Sequence, residues 1–549
     1  MMGAMTHTLA PRQTVSLTTR DGVRLDADVW RPAAPGPYPV LLMRQPYGRD
    51  IASTVVWAHP SWYAAQGYVV VVQDVRGRGT SEGTFEPFAH EAADGAETLA
   101  WAAALPGTTG RIGMYGFSYQ GMTQLFAAAS RHPALACLSP AMAAFDTYAD
   151  FAFEGGAFRL HQNLSWGAQM AVEQARRAGD GEACAELVAI SRAVPVLAPV
   201  PEMPPQMQRL GRYSHYAGWL AHAQPGPFWD RLSPGAQAAA ADDLPMLLVG
   251  GWFDALTSGT LALHRRRARC ARPARLVVGP WTHLPWGRRV GARDFGPAAA
   301  RAMDRLQLAW FDHCLKGAPP PEGAPVQLYE MGGDRWRGFD TWPEPPPLSW
   351  HLASDGLAAT DIESGRLETS PPTAAGEDRL VFDPFRPTPA EGGHTGPTAG
   401  AVDRAALDQR ADIATFTTPP LRADLHLAGD VTAEIFAESD RPSFDLCAVL
   451  SDVEPDGRAW NLTQGIVRVD GGSAGRPIRV DMRATCAVLR AGHRLRLSLS
   501  AGAFPAYSVN PGTGARAGEA AVHEQIVTTL RIRHGGDAPS RLMLPVVPA

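Results

Sequence analysis

The sequence predicts a doubly wound α/β sheet that is interrupted by a helical insertion and followed by an all-β domain. Three observations support this prediction. Apolar runs alternate with helical segments up to about residue 144, strand signals stop between residues 145 and 242, and short β segments separated by Gly, Pro and Asp turns dominate from residue 348 onward. Alternating strands and helices are typical of a parallel sheet with helices on both faces, and 549 residues suffice for two or three domains with full cores.

The first part of the core, residues 1–144, begins with a hairpin and continues with strand and helix signals in turn. The hairpin turns at Asp21-Gly22, a dipeptide that favours tight hairpin turns. The apolar runs that follow are bounded by Gly or Pro and have the length of buried parallel strands. In chain order we predict the hairpin at 13–31, strands at 39–43 and 68–72, a helix after Asp94, a strand at 112–115 and a helix at 119–131.

Residues 145–242 lack strand signals and contain alanine-rich, amphipathic stretches, so we predict an all-helical cap here. The alternating pattern resumes in the second part of the core, residues 243–347. There we predict strands at 245–249 and 275–278 and helices at 258–269 and 299–316. The remaining residues, 348–549, show little helical periodicity and are predicted to form an all-β jelly-roll domain.

Composition and charge exclude several classes of function. A formal net charge of −5 is small for this length and favours neither nucleic acid nor membrane as a partner. No apolar run approaches the ~18 residues of a membrane span, and the N-terminus shows no signal-peptide pattern. The six cysteines form no CxxC pair, so we expect reduced thiols, no metal site and a cytoplasmic location. The basic run at 264–275 is either a polyanion patch or, as we interpret it, a solvated helix end.

A candidate nucleophile lies in the segment Gly116-Phe-Ser118-Tyr-Gln-Gly121, between a predicted strand and a predicted helix. A serine on such a turn projects its hydroxyl from the sheet edge, near a helix N-terminus that favours developing negative charge. The second glycine comes one position later than in the G-x-S-x-G pattern, because Gln120 occupies that position. The alternative is a serine in an ordinary turn, but the strand–turn–helix context favours a nucleophile.

A base and an acid that orients it are expected in the chain order Ser, Asp, His at strand ends of an α/β-hydrolase. The predicted strand at 245–249 leads through GGWFD to Asp254, and the predicted strand at 275–278 leads through GPWTH to His283. The interval of 29 residues (283 − 254) accommodates one helix and one strand. Since doubly wound sheets place their sites at the carboxyl ends of strands, we predict that Asp254 and His283 form a triad with Ser118.

Stabilisation of an oxyanion requires hydrogen-bond donors aimed at the tetrahedral intermediate. The backbone N–H of Tyr119, the residue after the nucleophile, is one candidate donor. A second donor is expected from the loop after an early strand, which reads Arg44-Gln-Pro-Tyr47-Gly. From spacing alone, Tyr47 is equally well explained as a buried aromatic side chain.

Motifs over nearly the whole chain, in matching order, resemble the cocaine esterase/X-Pro dipeptidyl-peptidase-like family of bacterial serine hydrolases. They are RQPYG (44–48), QDVRGRGTSEG (73–83), GFSYQG (116–121), GGWFD (250–254), GPWTH (279–283), WFDHCLKG (310–317), DPFRPTPAEGG (383–393), VEPDGRAWNLTQGIVR (453–468) and GHRLRLSLSAGAFPAYSVNPGTG (492–514). The resemblance implies an α/β-hydrolase core, a helical cap and a C-terminal jelly roll, and its triad positions coincide with those chosen above.

The resemblance also implies roles for individual residues. Tyr47 is expected to donate its hydroxyl to the oxyanion beside the Tyr119 amide. Phe151, Trp166 and Leu256 are expected to line a substrate pocket for an apolar or aromatic acyl group. Neither a metal nor an organic cofactor is implied, and the expected partner is a small-molecule ester or amide. Whether the chain forms a homo-oligomer stays open.

The substrate is the main open question. A carboxylesterase or acylase is the first choice, and an X-Pro dipeptidyl-peptidase and an α-amino-acid ester hydrolase are the alternatives. Both alternatives need an anion that holds an ammonium group, and we interpret the one candidate, Glu154, as an exposed cap carboxylate instead. A protein of a different class, an inactive module whose jelly roll binds carbohydrate, is disfavoured by the intact triad.

The C-terminal domain carries no candidate nucleophile or metal cluster, so we expect its role to be architectural. A short proline-rich linker, residues 342–347, joins it to the core and leaves little reach for a free-swinging module. We therefore expect the jelly roll to pack against the core and to help wall the active-site cleft.

Overall fold

A computed structural model of the protein describes residues 7–50, 54–270, 274–472 and 475–549. Residues 1–6 of the N-terminal segment and residues 271–273 of the basic run lie outside this part of the chain. Ahead of the last domain, the strands are β1 (Gln13–Thr18), β2 (Arg24–Trp30), β3 (Tyr38–Gln45), β4 (Val69–Asp74), β5 (Thr108–Phe117), β6 (Leu135–Ala141), β7 (Phe153–Glu154), β8 (Ala157–Phe158), β9 (Leu247–Phe253), β10 (Arg275–Thr282), β11 (Arg289–Val290), β12 (Arg293–Asp294), β13 (Val326–Glu330) and β14 (Arg335–Phe339). The α-helices are α1 (Pro60–Ala65), α2 (Glu91–Ala103), α3 (Tyr119–Ala128), α4 (Leu160–Arg177), α5 (Gly181–Arg192), α6 (Pro205–Leu210), α7 (Tyr216–Ala221), α8 (Pro227–Asp230), α9 (Thr257–Arg267) and α10 (Met303–Lys316).

Ten of these strands form one sheet, in the order β1-β2-β4-β3-β5-β6-β9-β10-β13-β14. Neighbours from β4 to β13 in this order run parallel, and antiparallel strands lie at both edges. After β4 the chain crosses over β3 to form β5 and then adds strands in one direction. This is the doubly wound topology that the alternation of strands and helices predicts, so the predicted fold class is confirmed.

Helices cover both faces of the sheet, so successive residues of the parallel strands are buried. In β3, Val40 and Leu42 belong to an apolar cluster that includes residues of α2, α3 and α9. Leu41 and Met43, which point to the other face, belong to a cluster with residues of α1 and α10. Burial on both faces explains why these strands read as continuous apolar runs rather than as alternating patterns.

Three strands of the sheet were not predicted from the sequence: β6, β13 and β14. The sequence of β6, LACLSPA, contains a proline and no β-branched residue, so its strand propensity is weak. It forms between β5 and β9, with which it pairs in parallel, and most of its residues are buried. Here the tertiary environment overrides local propensity. One strand therefore separates β5, which precedes Ser118, from β9, which precedes Asp254.

The cap is helical as predicted, with one exception. A two-stranded hairpin, β7 and β8, turns at Gly155-Gly156 directly after a π-helical turn, Thr147–Ala152. A Cβ on Gly155 would clash with the carbonyl oxygen of Ile466 in the C-terminal domain. The hairpin is thus one of the places where the cap contacts that domain. Its two-residue strands are too short to show an alternating pattern in the sequence.

The C-terminal domain is β-rich, as predicted. Its strands are β15 (Leu348–Ala353), β16 (Arg366–Glu368), β17 (Gly376–Phe382), β18 (Ile413–Thr417), β19 (Leu425–Ser439), β20 (Ser443–Val453), β21 (Ala459–Asp470), β22 (Ile478–Leu489), β23 (Arg494–Ser500), β24 (Thr528–His534) and β25 (Arg541–Leu544). Apart from the parallel contact between β16 and β18, their pairings are antiparallel. We refer to this domain as the jelly roll.

The jelly roll packs directly against the core, which confirms the expected contact. Met331, just after β13, donates its N–H to the Cys486 carbonyl at 2.9 Å and accepts from the Val488 N–H at 2.8 Å. Tyr329 and Met331 of the core share one apolar cluster with Leu427 of the jelly roll. The boundaries at residues 144, 242 and 347 stay predictions.

The basic run lies at the end of α9 and before β10, as predicted. The expectation that this helix end is solvated is wrong for His264 and Arg267, which are buried. Arg265 pairs with Asp430 of the jelly roll, and Arg266 pairs with Asp242 at 2.8 Å. Arg267 is buried, and its guanidinium donates to the Ala241 carbonyl at 2.9 Å. These arginines bind other parts of the described chain rather than forming an open cationic patch. Within the described ranges, no helix has both the length and the apolarity needed to cross a membrane.

Candidate active site

Four strands of the core sheet end next to the residues selected from the sequence. Ser118, Asp254 and His283 each follow directly after a strand, respectively β5, β9 and β10, and Tyr47 lies two residues after β3. The carboxyl ends of parallel strands lie at one edge of the sheet, so these side chains converge there. Because β3 neighbours β5 and β9 neighbours β10, Tyr47 lies on the side of Ser118, and Asp254 on the side of His283.

Ser118 sits in a strained turn between β5 and α3. Its backbone angles are φ +60° and ψ −127°, and residues other than glycine rarely adopt a positive φ. A Cβ on Gly116 would clash with the Cβ of Gln120, and a Cβ on Gly121 would lie only 2.9 Å from the Cβ of Ala143. Gln120 is buried, and its Oε1 accepts a backbone hydrogen bond within the turn. The close contact at Gly121 explains why the second glycine of the motif falls at this position.

A chain of hydrogen bonds links the three predicted triad residues. His283 Nδ1 lies 2.7 Å from Asp254 Oδ1, and His283 Nε2 lies 3.0 Å from Ser118 Oγ. A carboxylate can only accept, so Nδ1 carries a hydrogen and a neutral ring leaves Nε2 free to accept the serine proton. Asp254 is fully buried, whereas the side chain of His283 keeps 35% of its surface exposed. His283 therefore faces the cleft, and Asp254 lies behind it.

Two further contacts hold Asp254 in place. Thr257 Oγ1, in the first turn of α9, donates to Asp254 Oδ2 at 3.3 Å. Arg483, on strand β22 of the jelly roll, donates from Nη1 to the Asp254 carbonyl oxygen at 3.1 Å. The second contact was not predicted from the sequence, because it joins residues 229 positions apart.

Tyr47 and Ser118 line the same cavity, and Ser118 is close enough to influence the Tyr47 hydroxyl. The phenol accepts a hydrogen bond from Trp166 Nε1 at 3.3 Å. Burial raises the pKa of Tyr47, although the contacts with Trp166 and Ser118 and the charge of Arg78 act in the opposite direction. The hydroxyl therefore keeps its proton at neutral pH and can donate it as a hydrogen bond. This geometry favours the oxyanion interpretation over the buried-aromatic alternative.

Tyr119 contributes its backbone and its side chain to different regions. Its N–H lies in the first turn of α3, where helical amides lack intrahelical acceptors. Its phenol points away into the interior, where it donates to Glu91 Oε1 at 2.7 Å and accepts from the Phe88 N–H at 3.1 Å. Only the backbone amide of Tyr119 is thus available to a group bound at Ser118.

A cavity of about 710 Å³ opens over Ser118 and His283. The three predicted pocket residues, Phe151, Trp166 and Leu256, line it, as does Tyr47. The rings of Phe151 and Trp166 lie 4.9 Å apart, and Leu256 is buried at the start of α9. Two of the predicted site residues, Asp254 and Tyr119, do not line the cavity. Asp254 lies behind His283, and Tyr119 is expected to contribute only its backbone amide.

One wall of the cavity comes from the jelly roll, in line with the expectation that this domain helps to wall the cleft. The lining residues of this wall are His394, Thr395, Gly396, Pro397 and Ala399. None of these residues was predicted from the sequence, although the adjoining motif DPFRPTPAEGG ends at Gly393, directly before His394. The glycine-rich composition of 392–400 was the available local signal, since it indicates a loop with close backbone contacts.

Glu154 does not occupy the exposed position that we expected. Its Oε2 lies 2.9 Å from Arg159 Nη2, 3.2 Å from Arg483 Nη2, 2.8 Å from His394 Nε2 and 2.7 Å from the Tyr507 hydroxyl. Burial raises the pKa of Glu154, but Arg483, His394 and Arg159 more than offset burial and hold the pKa well below its usual range. The interpretation as an exposed carboxylate is therefore wrong. The sequence could not reveal partners that are up to 353 residues away.

The comparison with known proteins agrees with this architecture. The X-Pro dipeptidyl-peptidase (S15 family) domain matches residues 21–285, and the X-Pro dipeptidyl-peptidase C-terminal non-catalytic domain matches residues 322–543. A cocaine esterase of Rhodococcus sp. (strain MB1 Bresler) is 32% identical over 567 aligned residues, which cover 97% of this chain and 98% of the esterase.

Among the described residues, no three His, Cys, Asp or Glu side chains group together as a metal site.

Solved structures share the whole fold. An aminopeptidase from the marine sediment archaeon Thaumarchaeota archaeon superimposes with a TM-score of 0.80 at 24% identity, over 98% of this chain and 96% of its own. An α-amino acid ester hydrolase superimposes with a TM-score of 0.78 at 23% identity, over 100% and 98% of the two chains. With its S15-type core, its C-terminal non-catalytic domain and its full-length similarity to the esterase, the chain belongs to the cocaine esterase family of serine hydrolases.

Proposed function

We propose that the protein hydrolyses carboxylic esters or amides through an acyl-enzyme on Ser118, and that it prefers small apolar or aromatic acyl groups. The hydrogen-bonded chain from Asp254 through His283 to Ser118, at the floor of a cavity lined by aromatic side chains, is the observation that carries this proposal. A nucleophile within hydrogen-bond reach of a base, which is itself oriented by an acid, is the arrangement that activates a serine.

In the first half-reaction, His283 Nε2 removes the proton of Ser118 Oγ as Oγ attacks the acyl carbonyl carbon. The carbonyl oxygen becomes an oxyanion and accepts hydrogen bonds from the Tyr47 hydroxyl and the Tyr119 N–H. The intermediate then breaks the bond to the leaving alcohol or amine, which takes the proton from His283. The acyl group remains as an ester of Ser118.

In the second half-reaction, water repeats the attack on the acyl-enzyme. His283 Nε2 takes a proton from the water as its oxygen bonds to the acyl carbon. The new oxyanion uses the same two donors. Its collapse breaks the bond to Ser118 Oγ, which regains the proton from His283 and releases the carboxylic acid. Asp254 stays ionised throughout and stabilises the imidazolium that forms twice in each turnover.

The charges near the cavity favour a neutral substrate over one with a free ammonium group. Among the described residues, no carboxylate side chain lines the cavity. Glu154, which contacts the cavity-lining residue His394, is already paired with Arg159 and Arg483. An X-Pro dipeptide or an α-amino-acid ester carries an ammonium group that needs an unpaired anion. These substrates are therefore less well supported than uncharged acyl esters.

Replacement of Ser118 tests the proposal. We expect Ser118→Ala to abolish covalent labelling by a fluorophosphonate probe and to lower turnover of p-nitrophenyl esters about 10⁴-fold or more, with the fold intact. A matched control is Ser165→Ala, since Ser165 also lines the cavity but donates to the Ser191 carbonyl at 2.7 Å. Labelling that persists in Ser118→Ala would overturn the assignment. Ala-Pro and Gly-Pro anilides in the same panel test the peptidase alternative.

A further inference from the structure

His394 of the jelly roll reaches into the cavity next to the cap. The residue is only 4% exposed, yet it forms part of the cavity wall. One ring nitrogen, Nε2, lies 2.8 Å from Glu154 Oε2 and 3.1 Å from the Tyr507 hydroxyl. The mechanism proposed above makes no use of this imidazole.

The contacts of His394 determine which ring nitrogen carries the hydrogen. Glu154 is ionised and can only accept, so Nε2 must be the donor in this bond. Burial, together with the charge of Arg483, lowers the pKa of His394 to about 4, against the opposing effect of Glu154. The ring is therefore neutral at physiological pH. With the hydrogen on Nε2, the other nitrogen, Nδ1, presents a lone pair.

Nδ1 of His394 keeps some accessible surface, and His394 is one of the residues that line the cavity. Among the described residues, the hydrogen bonds of this ring are formed by Nε2, and Nδ1 has no partner. Beside it, Thr395 Oγ1 donates to Gln162 Oε1 of the cap at 3.3 Å. His161, the neighbour of Gln162, also lines the cavity, and burial lowers the pKa of its ring. The cap and the jelly roll together thus form a polar wall.

The charges behind this wall disfavour a cationic ligand, and the Nδ1 lone pair requires a hydrogen-bond donor. One carboxylate, Glu154, is shared by two guanidinium groups, those of Arg159 and Arg483. With His394 neutral, the group carries a net charge of about +1, which repels a cation at the Nδ1 position. A neutral donor, such as a hydroxyl or an amide N–H, forms the hydrogen bond without this repulsion.

We infer that His394, with Thr395, Gln162 and His161, forms a binding subsite for an uncharged hydrogen-bond donor of the substrate, a hydroxyl or an amide N–H that His394 Nδ1 accepts. The inference rests on the proposed function and extends it, because it adds a polar neutral substituent to an otherwise apolar or aromatic ester. The apolar wall of Phe151, Trp166 and Leu256 and this polar wall then hold different parts of one molecule.

Pairs of esters that differ in one hydroxyl group test the subsite. The first pair is the p-nitrophenyl esters of 3-phenylpropanoic and 3-(4-hydroxyphenyl)propanoic acid. In the second pair, 3-phenylpropanoic acid is esterified with benzyl or 4-(hydroxymethyl)benzyl alcohol. We expect kcat/KM of the wild-type protein to favour the hydroxylated member about five- to tenfold in at least one pair, as one neutral hydrogen bond allows. The methoxy analogue, which cannot donate, is expected to lose this preference.

Two replacements of His394 then locate the acceptor. His394→Gln can still donate to Glu154 but lacks Nδ1, so we expect the preference to fall to about one. His394→Asn places an amide oxygen near the position of Nδ1 and is expected to retain part of the preference. A wild-type protein that ranks the hydroxyl, methoxy and unsubstituted esters equally in both pairs overturns the subsite, as does a preference that His394→Gln leaves unchanged. Failure of the proposed function is seen separately, as absence of fluorophosphonate labelling at Ser118 in the wild-type protein.

Discussion

At the scale of single residues, Ser118 has a strained backbone conformation that presents its side chain to the cavity. A serine at φ +60° destabilises the folded state by on the order of 1 kcal/mol, so other contacts must hold the backbone in this conformation. Ser118 N–H donates to the Ala141 carbonyl of β6 at 2.9 Å, and its carbonyl accepts from the N–H groups of Gly121 and Met122 at 2.9 and 3.1 Å. These bonds hold the turn in the geometry that directs Oγ towards His283.

The oxyanion role of Tyr47 predicts a specific kinetic change. Tyr47→Phe keeps the ring but removes the hydroxyl that is proposed to donate to the oxyanion. We expect kcat to fall about 10²–10³-fold with KM little changed, since the bond to the oxyanion forms mainly in the transition state. Steady-state kinetics on a p-nitrophenyl ester measure both constants.

Tyr115→Phe is the matched control for this experiment. Tyr115 lies on β5 and is fully buried, and within the described residues its hydroxyl has no hydrogen-bond partner. Its loss should leave kcat near the wild-type value. If Tyr47→Phe raised KM and left kcat unchanged, Tyr47 would only line the pocket.

At the scale of elements, helix α4 carries much of the cavity wall on one face. The lining residues Gln162, Ser165, Trp166 and Gln169 recur at spacings of three or four, which places them on one side of the helix. Leu164 and Ala168, which lie outside this row, are fully buried in an apolar cluster that also contains Phe153, Phe158 and Trp219. The helix therefore packs with one face and presents polar and aromatic groups to the substrate with the other.

Strand β22 of the jelly roll contacts the proposed triad through Arg483, which binds the Asp254 carbonyl. This side chain binds the Asp254 carbonyl and Glu154, so its loss should let Asp254 and its partner His283 shift. We expect Arg483→Met to lower kcat about tenfold to a hundredfold per folded molecule, because small displacements of catalytic groups have effects of this size. Titration of active sites with a fluorophosphonate gives the folded, competent fraction.

Arg479→Met, on the same strand, controls for the loss of an arginine. Arg479 is exposed and pairs with Asp481 at 2.7 Å, away from the triad. Arg483→Lys keeps the positive charge and should recover part of kcat if Arg483 positions Asp254. Unchanged kcat in Arg483→Met would show that this contact has no effect on the triad.

At the scale of the whole molecule, the jelly roll completes the site rather than standing beside it. It supplies one wall of the cavity and a bond to Asp254, and its backbone pairs with the core at Met331. One apolar cluster runs through both domains, including Tyr329 of the core and Leu427 of the jelly roll. Separation of the two therefore exposes apolar surface, which favours aggregation.

A chain that ends at residue 347 tests this dependence. We expect it to aggregate or to bind a hydrophobic dye such as ANS, and to lack ester turnover, because the cavity loses its second wall. Size-exclusion chromatography, dye fluorescence and the p-nitrophenyl ester assay measure these properties beside the full chain. A monomeric, folded and fully active short chain would instead indicate an independent accessory domain.

The sequence by itself determined the fold class and the candidate triad, because both depend on local signals. Each of Ser118, Asp254 and His283 follows directly after a buried strand, so an apolar run and the polar residue at its end suffice to identify them. Parallel strands bring such ends together without any further information. The pocket residues and the hydroxyl role of Tyr47 came from resemblance to a family, since spacing alone left Tyr47 ambiguous.

Only the tertiary structure decided which distant groups meet. Strand β6 forms despite weak propensity because β5 and β9 flank it. Glu154 forms ion pairs with arginines of the cap and the jelly roll. It also binds His394, which is 240 residues away in the chain. Such contacts leave no periodic trace in the sequence, since a buried charge and an exposed one have the same letter. The expected surface carboxylate Glu154 is instead largely buried between the cap and the jelly roll, because residues far apart in the chain pair with it.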